Sequence, residues 1–184
     1  IFSRFLTPEA YGLDEHSRWD TTRIDAVNEV LGFYGLHYWY TWQVTILGLG
    51  PVWMSDNEDA KKQAAQQLAD GEIFAFGLSE KTHGADIYRS DMVLTAAEDG
   101  TYTANGGKYY IGNGNAARMA STFGRRDDME GADAYVFFAA DSQADTYEVV
   151  KNVVYTMRFD EASALFGEFG DFYVGYLDDI ANII

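Results

Sequence analysis

Two polar, glycine-containing loops hold most of the chemistry this sequence could carry. Residues 78–86 read Leu-Ser-Glu-Lys-Thr-His-Gly-Ala-Asp and residues 112–115 read Gly-Asn-Gly-Asn, and each stretch lies close to a predicted strand. Glycine has no Cβ, so backbone N–H groups in such loops can approach a ligand closely and act as oriented donors. Other constellations are weaker. Gly106-Gly107-Lys108 lacks the upstream glycine and the following Ser or Thr of a phosphate-binding P-loop, and it sits in a hairpin context. His16, His37 and His83 are far apart, no pair has the spacing of a helical metal site, and no metal centre is expected. Asp127-Asp128 and Asp178-Asp179 are adjacent carboxylates. Acid–base work needs two groups converging on one pocket, whereas neighbours on a strand point to opposite faces, so solvation explains them better.

Composition narrows the classes of function. The chain has no cysteine among its 184 residues, which excludes a disulfide framework, a thiolate nucleophile and a thiolate zinc site. Redox work would need a cofactor, and a reducing, cytoplasmic setting is expected. Lys+Arg 13 against Asp+Glu 29 gives a formal charge of −16, which repels phosphate backbones and disfavours nucleic-acid binding. At 47% hydrophobic and 16% aromatic the chain can bury a sizeable core. Gly35, His37, Gln43, Gly48 and Gly50 interrupt the longest apolar stretch, so no membrane span is expected. The chain opens on Ile1 with no signal-peptide pattern, and its N-terminus reads as a cut.

The elements that must position the two loops divide into a helical part and a β part. Ile24, Val27, Val30 and Leu31 share a face and predict a helix over 23–33, preceded by Thr21-Thr22. A second helix, rich in aromatics, is expected over 36–46. Its Tyr38, Trp39, Tyr40 and Trp42 read as core packing before ligand stacking. Ser55-Asp56-Asn57-Glu58 has capping-box spacing and predicts a third helix over 56–69, stopped by Gly71. From about residue 73 the texture changes to short β-branched and aromatic runs at 92–95, 135–138 and 149–155. Asp99-Gly100 and Asn105-Gly106 divide them as hairpin-turn dipeptides. Mostly antiparallel sheet or barrel is expected there.

At the two loops a family resemblance becomes specific. Phe76-Gly77-Leu78-Ser79-Glu80-Lys81-Thr82-His83-Gly84-Ala85-Asp86 resembles the acyl-CoA dehydrogenase signature, an apolar run followed by Thr/Ser-Glu-Pro-x-x-Gly-Ser-Asp. Further on, Asn105-Gly106-Gly107-Lys108-Tyr109-Tyr110-Ile111-Gly112-Asn113-Gly114 is similar to the family's Asn-Gly-x-Lys-x-Trp-Ile-Thr-Asn-Gly. Leu-Ala-Asp-Gly-Glu at 68–72 precedes the first motif as in the family. Phe169, Asp171 and Val174 with Asp178-Asp179-Ile180 resemble the last strands of its middle domain.

The resemblance implies an α+β chain. Residues 1–72 would be part of the helical N-terminal domain, and 73–184 an antiparallel β-barrel or sandwich middle domain that cradles a flavin, with the C-terminal helical domain absent. It implies FAD as cofactor, held by Phe76, Leu78, Ser79, Gly84, Ala85, Tyr110, Ile111 and Gly112, with Ala85 also facing substrate. Tyr110 stands where the family usually has Trp, Gly112 where it has Thr, Ala85 where it has Ser and Lys81 where it has Pro. A Tyr face can still stack and a glycine N–H can still donate. The implied reaction is α,β-dehydrogenation of acyl-CoA thioesters, with electrons passed to an electron-transferring flavoprotein and a homo-oligomeric assembly. The proton-abstracting glutamate is expected in the C-terminal domain, so no residue of this chain is nominated as catalytic. An acyl-CoA oxidase on the same scaffold is the nearest alternative, and a non-catalytic module that has lost its flavin is another.

Overall fold

The computed structural model describes residues 1–151, together with the backbone of Tyr155–Thr156 and Gly175–Tyr176. Helices come first: α1 (Phe2–Leu6), α2 (Thr21–Tyr34), α3 (Leu36–Met54) and α4 (Glu58–Ala69). Strands follow: β1 (Phe74–Gly77), β2 (Val93–Ala96), β3 (Tyr102–Asn105), β4 (Met119–Arg126) and β5 (Tyr135–Asp141), then the short antiparallel pair β6 (Tyr155–Thr156) and β7 (Gly175–Tyr176). The α+β order expected from the periodicity is present. The resemblance drawn at 169–180 lies outside the described residues apart from β7.

Helices α2 and α4 each start where a side chain satisfies a free N–H, though not the expected one. Asp20 caps α2, its carboxylate accepting from the Arg23 N–H at 3.2 Å, so the cap precedes Thr21-Thr22. For α4 the cap is Asn57, whose Oδ1 accepts from the Ala60 N–H at 3.0 Å. Ser55 does not form the capping box: its hydroxyl donates to the Val52 carbonyl at 2.8 Å and closes α3 instead. Gly71, with φ of +90°, follows the end of α4 as expected. On α2, Ile24 is buried with Val27 and Leu31 packed beside it, while Val30 turns outward.

Helix α3 runs eight residues past its expected end at 46, through Gly48, Gly50 and Pro51. Packing overrides propensity here. A Cβ at Gly48 would lie 2.5 Å from the Ala75 carbonyl oxygen, so the glycine that reads as a breaker lets the helix lie flush on β1. The core sits on that contact and joins Trp42, Leu49, Val52, Leu68, Phe74 and Met119. Trp42 is fully buried against the edges of Phe2 and Phe5, with ring centroids 5.0 and 6.1 Å away. Trp53 Nε1–H donates to the Leu6 carbonyl at 3.0 Å and pins α1.

The strand pairing is mostly antiparallel, as expected, with two parallel pairings along one edge of β4. Antiparallel β2 and β3 form the hairpin expected at Asp99-Gly100, and β5 runs antiparallel along β4. On its other edge β4 runs parallel to β1 (Phe74↔Met119 to Gly77↔Thr122) and then to β2 (Val93↔Arg125, Leu94↔Arg126). Asn105-Gly106 opens the 106–118 connection instead of a hairpin. A long connection can return the chain in the same direction, which a tight turn cannot. Among the described residues no helix is long and apolar enough to cross a membrane.

Candidate functional site

The two loops meet at the end of β1. Lys108, at the foot of the 106–118 connection, reaches back to the Glu80 carboxylate at 2.5 Å and to the Leu78 carbonyl at 3.3 Å. The next N–H, that of Tyr109, donates to the Ser79 carbonyl at 2.8 Å. Glu80 also accepts from the Ser90 hydroxyl at 2.6 Å and the Asp91 N–H at 2.8 Å, so one carboxylate ties three segments together. Its side chain is 4% exposed and that of Lys108 8%. Burial alone would push the Glu80 carboxyl up, but the bonds from Lys108, Ser90 and the Asp91 N–H outweigh it and hold the group at about 2.

The second loop is fixed from below. Asn113 is almost fully buried, and its Nδ2 faces the Phe74 carbonyl at 3.0 Å, the Thr41 carbonyl at 3.1 Å and the Thr45 hydroxyl at 3.4 Å. Ala116 and Ala117 donate their N–H groups to the Asn113 carbonyl, at 3.0 and 2.7 Å. The Tyr147 hydroxyl donates to the Gly114 carbonyl at 2.6 Å. Tyr110 and Asn113 both take left-handed backbone, with φ of +56° and +58°. That conformation is unusual for a bulky residue and tolerated by Asn.

Of the residues singled out in the sequence, Leu78, Ser79 and Gly84 line one cavity of about 170 Å³, with Glu80, His83, Ile87, Ser90 and Phe123. Ala85 is exposed beside it. Tyr110 is exposed, its ring 4.3 Å from that of Tyr109. Ile111 packs on the small cluster Ala75, Ala117 and Ala120, and Gly112 lies against Tyr40 and Val44 of α3. Phe76, on β1, stacks on Phe137 of β5 at 5.2 Å. The structure therefore brings 78, 79 and 84 around one cavity and joins them to 109–110 through the Ser79–Tyr109 bond.

Sequence reasoning passed over Glu80, Ser90, Asp91, Lys108 and Asn113 as functional residues. Lys108 stands in the second motif with no role assigned to it, and its carboxylate partner, 28 positions away, leaves no local signal. His83, read as a lone histidine, is clamped between Asp86 at 3.1 Å and Asp91 at 3.3 Å. Ligand atoms of Glu80, His83 and Asp91 lie within 4.8 Å of one another, but the ammonium of Lys108 already neutralises Glu80.

These residues fit one wall of a flavin site. The Ser79 hydroxyl is exposed and makes no hydrogen bond among the described residues. A Cβ added at Gly84 meets nothing within 4 Å, so its backbone faces open space. With Glu80 neutralised by Lys108, the buried carboxylate does not set an unbalanced negative charge against a pyrophosphate. A cavity of about 170 Å³ is below the roughly 300–1,000 Å³ of ligand pockets, so it receives only part of a dinucleotide.

No family model matches the chain. Over 82 residues it is 37% identical to the short-chain specific acyl-CoA dehydrogenase of Megasphaera elsdenii, covering 44% of this chain and 21% of that protein. It is also 42% identical over 130 residues to a putative heme-binding protein of Haloquadratum walsbyi, covering 65% of this chain and 23% of the relative. A 32-residue match, 66% identical, links it to the coproheme decarboxylase of Thermus thermophilus, with 17% of this chain and 13% of that protein covered. Among solved structures, butyryl-CoA dehydrogenase from Megasphaera elsdenii superposes with a TM-score of 0.65 at 25% identity, over 85% of this chain and 40% of that one. An acyl-CoA dehydrogenase from Bacillus anthracis complexed with FAD shares the fold with a TM-score of 0.61 at 23% identity, over 82% of this chain and 24% of that one. The chain thus spans about a fifth to a quarter of the length of the first two curated relatives named here. The dehydrogenase relatives and the shared fold agree with the two motifs and support a likeness to the acyl-CoA dehydrogenases, of which the Bacillus anthracis protein is complexed with FAD.

Proposed function

We propose that this chain is the flavin-cradling part of an FAD-dependent enzyme that dehydrogenates acyl-CoA thioesters between the α and β carbons. The observation that carries the reading is the junction of the two motif loops. Lys108–Glu80 and Tyr109–Ser79 bind them together and leave the Ser79 hydroxyl unpartnered among the described residues. Bound FAD supplies the hydride acceptor. Ser79 would donate to it, the backbone at Gly84 and Ala85 would face its pyrophosphate, and Phe76, Leu78, Tyr110, Ile111 and Gly112 would wall the ring system. Ala85 would also lie toward the thioester.

Glu80 is unsuited to be the base. Its oxygens are occupied by Lys108, Ser90 and the Asp91 N–H, and a carboxyl held at about 2 has little affinity for a proton. The proton acceptor belongs to a segment that relatives have and this chain does not span, as do most contacts of a homo-oligomer. Residues 1–72 are read as part of the helical domain and 73–184 as the middle domain. Electrons leave to an electron-transferring flavoprotein, and the setting is cytoplasmic.

The test is a purification with FAD added, followed by reduction of an artificial acceptor with short, medium and long acyl-CoAs, on this chain and on a version extended by a dehydrogenase C-terminal domain. Flavin retention with turnover only in the extended version is expected. Turnover by the chain alone would overturn the placement of the base, and hydrogen peroxide in place of acceptor reduction would make the enzyme an oxidase. A second reading, haem binding, is favoured by the haem-protein matches. The same preparations incubated with haem would show a Soret band and no flavin if it holds.

A further inference from the structure

Gly112 and Tyr40 occupy one space between them. A Cβ built on Gly112 would lie 2.7 Å from the Tyr40 hydroxyl oxygen, 2.9 Å from its Cε1 and 2.9 Å from Cγ2 of Val44. No side chain fits there, so the backbone of the loop rests directly on α3 and the phenol sits where a side chain at 112 would begin. Helix and loop are fastened to each other beside that phenol. Thr41, the next residue on the helix, accepts from Asn113 through its carbonyl, and Asn113 follows Gly112.

The Tyr40 hydroxyl is half-buried and makes no hydrogen bond among the described residues. Its oxygen is not among the fully buried polar atoms, so the O–H is open to a ligand on its solvent side while the rest of the ring is packed. Burial pushes its pKa up, so it stays a protonated donor throughout the neutral range. A donor packed against the loop backbone, unmatched among the described residues and beside left-handed backbone at Tyr110 and Asn113, is placed for a ligand contact.

We propose that the Tyr40 hydroxyl donates a hydrogen bond to the isoalloxazine ring of the bound flavin at the Gly112 end of the cradle. This rests on the flavin reading above, and it gives α3, on the helical side, a direct part in holding the cofactor. Tyr40 is a binding residue in this assignment, and no proton transfer passes through it.

The experiment titrates FAD into the whole chain and into Tyr40→Phe, following flavin fluorescence and the visible absorption bands, with thermal melting of both proteins free of FAD. A neutral hydrogen bond contributes about 0.5–1.5 kcal/mol, so Y40F should weaken FAD binding by roughly two- to tenfold and shift the flavin bands. Melting without FAD should be unchanged, since no protein bond is lost. FAD binding of equal affinity with an unaltered spectrum in Y40F overturns the assignment while leaving the flavin reading intact. Failure of the wild-type chain to bind FAD at all overturns both. A lower melting temperature of FAD-free Y40F would also count against it, by showing that the hydroxyl serves the fold.

Discussion

Asn113 holds the 110–117 loop with a neutral amide, whereas Glu80 and Lys108 hold the 78–91 loop with a buried ion pair. The amide fastens its loop to α3 and β1, and nothing in that anchor titrates. The ion pair fastens one loop to the other and to the start of β2, through a carboxylate that depends on an ammonium 28 residues away. The two halves of the cradle should therefore fail under different conditions, and each of the following experiments strikes one half and asks whether the other notices.

Lys108→Met gives the largest effect. It leaves the Glu80 carboxylate buried with only Ser90 and the Asp91 N–H as donors, and breaking one side of a buried pair typically costs about 3–5 kcal/mol. Urea denaturation should show that loss, and adding Glu80→Leu should recover most of it, because the cost lies in the uncompensated charge. A loss below about 1 kcal/mol in Lys108→Met would mean that the pair is solvated and the comparison empty.

Acid should reach the same half. Glu80 goes from an ordinary value of 4.5 to about 2 in the fold. A group whose pKa is depressed on folding contributes stability that is full above the unfolded value and is lost as pH falls through the folded one. The contribution here is on the order of 3 kcal/mol, disappearing between about pH 4.5 and pH 2. Denaturation across that window in the wild-type chain and Glu80→Gln reads it, with the slope expected to flatten in the variant. Equal slopes would place the acid sensitivity elsewhere among the carboxylates.

Asn113→Ala strikes the other half. It removes the donor to two backbone carbonyls and puts alanine into left-handed backbone, together costing about 2–3 kcal/mol. The loss should be equal at about pH 3 and about pH 6, inside and above the range in which Glu80 titrates. A pH-dependent loss would show that the loops are coupled rather than separately anchored.

What could be read in advance followed from how local each signal was. Asp99-Gly100 marks its hairpin and Gly71 its helix stop because a two-residue turn and a left-handed cap depend on neighbouring residues alone. The motif loops were legible as loops, with Leu78, Ser79 and Gly84 around one cavity, yet nothing local in Glu80 announces Lys108. Strand β4 is the clearest loss. Met119–Arg126 reads Met-Ala-Ser-Thr-Phe-Gly-Arg-Arg, poor in β-branched residues, and its first six residues are buried. It is small because it is crowded: Ser121 donates to the Gly48 carbonyl at 2.5 Å, and a Cβ at Gly124 would lie 2.6 Å from Leu94. Tertiary packing sets strand preference at such a site, and a window of eight residues contains none of it. The same reason hid the far end of α3, where Gly48 reads as a breaker and acts as a contact.

His83 offers the smallest and most local test. Its imidazole bonds Asp86, which raises its pKa most; burial opposes, and the nearby Asp91 charge adds to the rise. Asp86 also accepts the Gly84 N–H at 2.8 Å and Asp91 the Thr82 hydroxyl at 3.2 Å, so protonated His83 staples the rim of the cavity that Leu78, Ser79 and Gly84 line. A histidine whose folded pKa is raised contributes stability that is complete below its unfolded value and is lost as pH climbs through the folded one. The 82–91 segment should therefore loosen as pH climbs above the ordinary imidazole value of 6.5 and through the raised folded one, in the direction opposite to the acid effect on Glu80. Because the clamp is solvent-exposed, the change should be confined to the segment, with little movement of global stability. Hydrogen exchange corrected for intrinsic rates reads it directly: protection over 82–91 should fall with pH in the wild-type chain and be low and flat in His83→Asn, while the 113–117 amides hold steady in both. Protection over 82–91 that does not change with pH would mean that the backbone bonds to Asp86 and Glu80 suffice to hold the rim. The ion pair would then anchor this half of the cradle alone.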